Sequence, residues 1–295
     1  MKLISIIMAT YNREHFIVET LKSIQAQSYE NFECLIIDDG GNDNTLEVIT
    51  PILKADSRFT FLKRSENYKK GLPGSRNCGL DLIKGDYIIF FDDDDIVHPE
   101  NLKICTETLD AINIDFCHYQ KASFTSEKPV IEKCATSLKK ELTKKDIEKI
   151  ITQEIGLASC TVMWRRECFN HIRFNENLLY AEEWECYSRI ISEGFKGVII
   201  DSVLYYNRKH SNSNTGEFYN NNPARKKSKK EAAVLIIENL TKKQLVTDSL
   251  TRYFITLSLD YKEYNLFHEI LKILNLPFSK KIKCQVYYRS YPLRI

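Results

Sequence analysis

A chain of 295 residues, 43% of them hydrophobic and 28% charged, is long and apolar enough to bury a core, which excludes a disordered polymer. Its 42 basic residues against 40 acidic ones leave a net charge of +2, too balanced for nucleic-acid binding by the whole molecule. Nine scattered cysteines, an odd number without a CxxC pair, exclude a disulfide framework and a zinc site, and imply reduced thiols in a cytoplasm.

The first apolar run, residues 3–8, is too short for a secretory leader, and Tyr11, Asn12 and Arg13 stand where a cleavage site would fall. No later stretch approaches the roughly 18 apolar residues of a membrane span. Short runs rich in β-branched and aromatic residues predict strands at 2–8, 32–37, 59–63 and 87–91. Amphipathic segments between them predict helices at 14–27, 45–53, 73–83 and 99–111. Pro73 and Pro99 suit first helical turns, and Gly85 suits a stop. That alternation is the pattern of an α/β doubly wound, mostly parallel sheet. Further on, strands are expected at 116–124 and 159–164, with a short helix inside the polar stretch 128–152. A helix is expected at 182–192, then a strand pair near 198–200 and 203–207. Residues 212–222 carry the Asn, Ser and Gly of a linker, and 224–273 is helical in pattern.

Tyr87-Ile88-Ile89-Phe90-Phe91 runs directly into Asp92-Asp93-Asp94-Asp95, so four carboxylates stand at the end of a buried strand. Ligands of open α/β sheets bind at such ends. Four neighbouring carboxylates repel one another, and a hard divalent cation is the natural compensator. A solvated acidic turn before the next helix is the plainer alternative, and metal use alone does not identify a reaction.

Four segments in order, Ser5 to Arg13, Leu35 to Gly40, Gly71 to Asn77 and Asp92 to Asp95, resemble the family 2 glycosyltransferases. The resemblance implies a GT-A fold over residues 1–215, with 1–115 as the nucleotide-sugar half and 116–215 as the acceptor half, and 216–295 as a helical extension. It implies that Thr10 and Tyr11, with Asn12 beside them, line the nucleotide pocket, the Tyr11 ring against the base. Asp39 then accepts from a uracil imide, and Arg76 lies near the nucleotide sugar or steadies the acidic cluster. Asp92, with Asp93 next to it, falls on the ribose and sugar side; Asp94, supported by Asp95, takes Mn2+ or Mg2+. Arg208-Lys209-His210 matches a segment in which the histidine ligates metal or meets the diphosphate and the arginine neutralises phosphate.

The family's base comes from an acidic pair opening a helix, here Glu182-Glu183 before Trp184, with Glu183 standing where Asp is usual. Glu183 is the first choice of base and Glu182 the second. The implied reaction is an inverting transfer from a UDP-sugar to a hydroxyl of a glycan or polyprenyl-diphosphate-linked acceptor. Two basic runs, Arg225 to Lys230 and Lys280 to Arg294, the latter interleaved with Val286, Tyr287, Tyr288 and Leu293, suit peripheral contact with anionic lipid. A sugar nucleotidyltransferase is the rival enzyme class, although Thr10 to Arg13 lacks the glycines of its phosphate loop. A non-catalytic nucleotide-sugar binding module is the other rival.

Overall fold

The computed structural model describes residues 1–125, 127–132, 137–210 and 214–290. Its first half follows the expected alternation: β1 (Ile4–Thr10), α1 (Ile17–Gln25), β2 (Phe32–Asp38), α2 (Thr45–Ala55), β3 (Phe59–Lys63), α3 (Leu72–Leu80) and β4 (Tyr87–Phe90). β1 lies between β2 and β4, with β3 outside β2, and all four run parallel, which requires a crossover helix at each connection. Both faces of these strands are covered, hence their nearly continuous apolar sequences. Ile4, Ile6 and Met8 share a core with Ile17, Leu21 and Ile24 of α1 and Ile49 of α2. Ile7, Leu35 and Ile37 belong to the core on the other face, with Cys78 and Leu80 of α3.

The second half comprises β5 (Ile96–Val97), α4 (Asn101–Ile112), β6 (Phe116–Phe124), β7 (Leu138–Leu142), α5 (Ile147–Ile151), β8 (Val162–Arg165), α6 (Glu182–Glu193) and β9 (Gly197–Arg208). Among the described residues nine strands form one sheet, ordered β3-β2-β1-β4-β8-β6-β9-β5, with β7 also on β9. The sheet is parallel through β4 and mixed beyond it, because β8 enters between β4 and β6 and runs against both. The strand pair expected around residue 200 is a single long strand, β9, whose pairing with β6 slips in register between His118 and Lys121. Ser159–Thr161 is a 3-10 turn, so the strand expected at 159 starts at Val162.

The expected linker at 212–222 carries α7 (Asn214–Tyr219). Composition is overridden there by tertiary contact: the Phe218 ring stacks on Tyr180 at 4.5 Å, and Glu217 pairs with Arg225 at 3.0 Å. The helical stretch after it divides into α8 (Pro223–Lys242), α9 (Asp248–Asp260) and α10 (Tyr264–Leu274), followed by α11 (Phe278–Ser290). Asn222 and Thr247 cap α8 and α9 through their side chains. Ile236, Ile237 and Leu240 of α8 share one core with Trp184, Tyr187, Ile190 and Ile191 of α6. Among the described residues no helix is long and apolar enough to cross a membrane.

Candidate active site

The parallel strands β1, β2 and β4 end side by side, which gathers the segments after Thr10, Asp38 and Phe90 at one edge of the sheet. Thr10 is buried and its carbonyl accepts from Asp39 N at 2.9 Å. Tyr11 keeps 45% of its surface exposed, with Lys70 Nζ 4.7 Å from the ring centroid. Asn12, grouped with the nucleotide pocket in the sequence, follows Tyr11 and also braces the loop. It sits at φ 54° and its Oδ1 accepts from Asn42 N at 2.8 Å, tying the β1 loop to the segment before α2. The Asp39 carboxylate is likewise well occupied: it accepts from Arg64 Nε at 2.5 Å, Gly71 N at 2.9 and 3.1 Å, and Ser75 Oγ at 3.2 Å. Oδ2 receives only the Gly71 bond among the described residues and keeps capacity for another donor.

The four carboxylates separate into different environments. Asp93 is buried and held by Arg13 Nε at 3.0 Å, a structural ion pair where a place beside the ribose was expected. Burial pushes its carboxyl up to about 7 against the pull of Arg13. Asp95, expected to support the metal, is fully buried, accepting from Arg208 N at 2.7 Å and from the Asn207 amide at 3.2 Å. Burial, then the charges of Asp92 and Asp94, raise it to about 8. Its carboxylate can approach those of Asp92 and Cys160 Sγ, the three ligand atoms lying within 4.8 Å of one another. Cys160 does not suit a hard cation there, since burial holds its thiol protonated well above the ordinary range.

Asp94 fits better. Its Oδ2 is 2.8 Å from His210 Nε2, with Arg13 Nη2 3.7 Å away. The carboxylate and imidazole are hydrogen-bonded to each other, and both are donor types that a divalent cation replacing that hydrogen bond would accept. The imidazole favours Mn2+ over Mg2+. Arg208 is not free to neutralise a phosphate. Its Nε donates to Asp94 O at 2.8 Å, its Nη2 pairs with Glu19, and Phe124 packs under its guanidinium at 4.6 Å. It anchors the segment that brings His210 in. Ser211 to Ser213, which continue that segment, lie outside the described residues.

Arg76 joins the two acidic sites. Buried on α3, it pairs through Nη1 with Glu182 Oε1 at 3.0 Å, while Nη2 donates to Ser159 Oγ at 2.8 Å and lies 3.5 Å from Asp92 Oδ1. Burial opposes the guanidinium charge, but Glu182, Glu183 and Asp92 outweigh it and hold Arg76 above its ordinary value. Asp92 is the open member of its cluster, with 38% of its side chain exposed. Glu182 is buried and committed to Arg76. Glu183 is the more accessible of the pair, anchored by one bond from Ser159 N to Oε2 at 2.6 Å, which leaves Oε1 to act. Ala181, just before α6, adopts φ 64°, a left-handed conformation uncommon for a residue with a Cβ, at the point where the two glutamates are aimed.

Three participants had no assigned role in the sequence. Arg13 stood unassigned inside a motif; the carboxylates it faces are 80 residues away. Lys121 of β6 lies in the field of Glu183, Asp92 and Asp95. Lys229 of α8, within the basic run read as lipid-facing, turns inward, with its Nζ 4.4 Å from the Trp184 ring centroid. Burial lowers its ammonium to about 8 while Glu183 pulls the other way. Of the rest of that run, Arg225 pairs with Glu217 and Lys230 with Glu263, while Lys227 reaches Glu231 only across the exposed helix surface at 3.6 Å. Alternating helix faces gave no sign of which lysine met the site.

A family model described as Glycosyl transferase family 2 matches residues 5–172, more than half of the chain. WfaP of Escherichia coli, a UDP-Glc:alpha-D-GlcNAc-diphosphoundecaprenol beta-1,3-glucosyltransferase, is 32% identical over 72% of this chain and 80% of its own length. Among solved structures, S. aureus TarS in complex with UDP superposes with a TM-score of 0.71, covering 98% of this chain and 87% of that one at 21% identity, a likeness of fold. The mannosyltransferase PcManGT from Pyrobaculum calidifontis, in complex with GDP-Man and Mn2+, gives a TM-score of 0.56 over 98% of this chain and 82% of its own at 13% identity.

Proposed function

Because this chain belongs to glycosyltransferase family 2 and has the GT-A fold, we propose that it moves a sugar from a UDP-sugar to a hydroxyl of a polyprenyl-diphosphate-linked glycan, with inversion. The observation that carries this reading is the Arg76 bridge. It ties Asp92, at the donor end, to Glu182, and so gathers the acidic strand end and the glutamate pair that opens α6 around one buried guanidinium. The UDP donor and the lipid-linked acceptor are supported by WfaP, whose name contains both, and the cation by the Mn2+ bound to PcManGT. Such an acceptor places the enzyme in the cytoplasm at the inner face of the plasma membrane, in the building of a surface polysaccharide.

Glycosyl transfer passes through an oxocarbenium-like state, so the protein must stabilise a departing diphosphate and take a proton from the attacking hydroxyl. Asp94 and His210 would hold a divalent cation, which would supply Lewis-acid charge to that diphosphate. Glu183 Oε1 takes the acceptor proton, and its Oε2 stays fixed by Ser159 N. Asp92 accepts from sugar or ribose hydroxyls, steadied by Arg76. Tyr11 stacks on the base and Asp39 Oδ2 accepts the uracil N–H.

A panel of nucleotide sugars, each with Mn2+ or Mg2+, tests this through release of UDP. Turnover of a uridine donor is the expected outcome. Failure of every uridine donor removes the Tyr11 and Asp39 assignments, and released pyrophosphate would support a nucleotidyltransferase instead.

A further inference from the structure

α11 is a helix whose apolar stripe points away from the protein. Phe278, Ile282 and Val286 follow one another at a spacing of four residues, so they lie along one face, and they are 78%, 43% and 61% exposed. The opposite face docks the helix: Cys284, Tyr287 and Tyr288 pack on the core, the Tyr288 ring lying 4.3 Å from that of Phe267. No residue of α11 is buried. Its sequence FSKKIKCQVYYRS carries Lys280, Lys281, Lys283 and Arg289 and no acidic residue, in a chain whose net charge is only +2. Lys280 is spent on Asp248. Arg289 falls within the angular range of the apolar stripe, and Lys281 and Lys283 border it on either side.

Exposed large apolar side chains in a row, edged by cations, have the composition of a helix lying in a bilayer interface, its apolar residues among acyl chains and its cations among headgroups. A second copy of this chain fits less well, since two such faces would bring like charges together with no carboxylate on either. We propose that the outward face of α11 docks on an anionic lipid surface. The biological sense of this rests on the lipid-linked acceptor reading; the physical chemistry of α11 does not.

The test uses the full chain in vesicle co-sedimentation, with phosphatidylcholine alone and with one part phosphatidylglycerol to three parts phosphatidylcholine. The protein is expected to partition onto the anionic vesicles and to be released by salt. Replacing Phe278→Ser and Val286→Ser together should weaken partitioning by at least about tenfold, and Lys281→Glu with Lys283→Glu by a similar factor, with unchanged melting temperature and unchanged UDP release. Equal binding to both vesicle types, or wild-type binding by the double serine variant, overturns the proposal. So does a concentration-dependent dimer abolished by the serine variant without vesicle binding, which would make a second copy the occupant. Transfer to a detergent-solubilised polyprenyl-diphosphate acceptor, measured alongside, separates the two readings: activity there with no vesicle binding refutes the docking face and leaves the acceptor class standing.

Discussion

Glu182 and Glu183 are chemically identical neighbours whose surroundings give them different work. Glu182 neutralises the buried guanidinium of Arg76, and burial raises its own carboxyl above the usual value. Glu182→Ala leaves that guanidinium uncompensated, so it should cost about 3–5 kcal/mol and lower the melting temperature markedly. Glu183→Gln keeps the shape but not the base, and should reduce turnover by about 10²–10⁴ while leaving UDP binding and melting temperature near wild type. Calorimetric UDP binding, melting and single-turnover rates on both variants distinguish the roles; full turnover in Glu183→Gln would eliminate it as base. His210→Ala should raise the Mn2+ concentration needed for half-maximal activity by about tenfold or more, since losing even a ligand's supporting partner costs about 10–100-fold in affinity.

At the scale of elements, α3 shows how a polar sequence comes to be buried. Pro73 through Leu80 are all buried although they include Ser75, Arg76 and Asn77. Their polar groups have partners across the fold: Asn77 Nδ2 donates to Phe174 O at 2.9 Å, and Ser75 reaches Asp39. Two glycines permit this closeness. A Cβ on Gly79 would meet Ile7 Cγ2 at 2.5 Å, and one on Gly74 would meet Lys69 O at 1.9 Å. The second contact is with backbone, so Gly74→Ala must push aside the loop whose Gly71 N holds Asp39. The expected result is a loss of about 1–3 kcal/mol in stability and weaker UDP binding, read by calorimetry on the same samples. The helix itself is legible from Pro73; its burial is not, because each polar partner comes from a distant part of the chain.

For the molecule as a whole, the crowded carboxylates make stability depend on pH and on cations. Asp93 and Asp95 hold their protons up to about 7 and about 8, whereas in the unfolded chain they release them near about 4. Between those values the folded state binds more protons, so stability falls as pH rises through the window. Melting temperature without divalent cations should therefore drop between about pH 5.5 and 8. Mn2+ should raise it more at the upper pH, where protons no longer compete for the carboxylates. An equal Mn2+ effect at both would mean that the cation does not bind at this cluster.

The C-terminal helices raise a second question at this scale, since α8 covers the apolar face of α6. A chain ended after Asn222 would leave Trp184, Tyr187, Ile190 and Ile191 uncovered, and is expected to lose cooperative melting and near-ultraviolet dichroism. Well-folded behaviour would support 216–295 as a separable extension.

By itself the sequence determined the parallel β1 to β4 frame, the acidic strand end, the pair at the start of α6 and the motif set from Ser5 to Asp95. Local periodicity and short motifs carry that information, because each depends on residues a few positions apart. Only the tertiary structure decided the rest. Asp93 and Asp95 became buried partners of Arg13 and of Arg208 and Asn207, and Asn12 became a loop tie. Arg76 bridged two acidic sites 90 residues apart in the chain, and Lys229 left its basic run to lie against Trp184 in the field of Glu183. A charge or amide acquires its role from the partner that folding brings to it, and those partners lie on strands and helices whose order, β8 between β4 and β6 and α8 over α6, no local pattern contains.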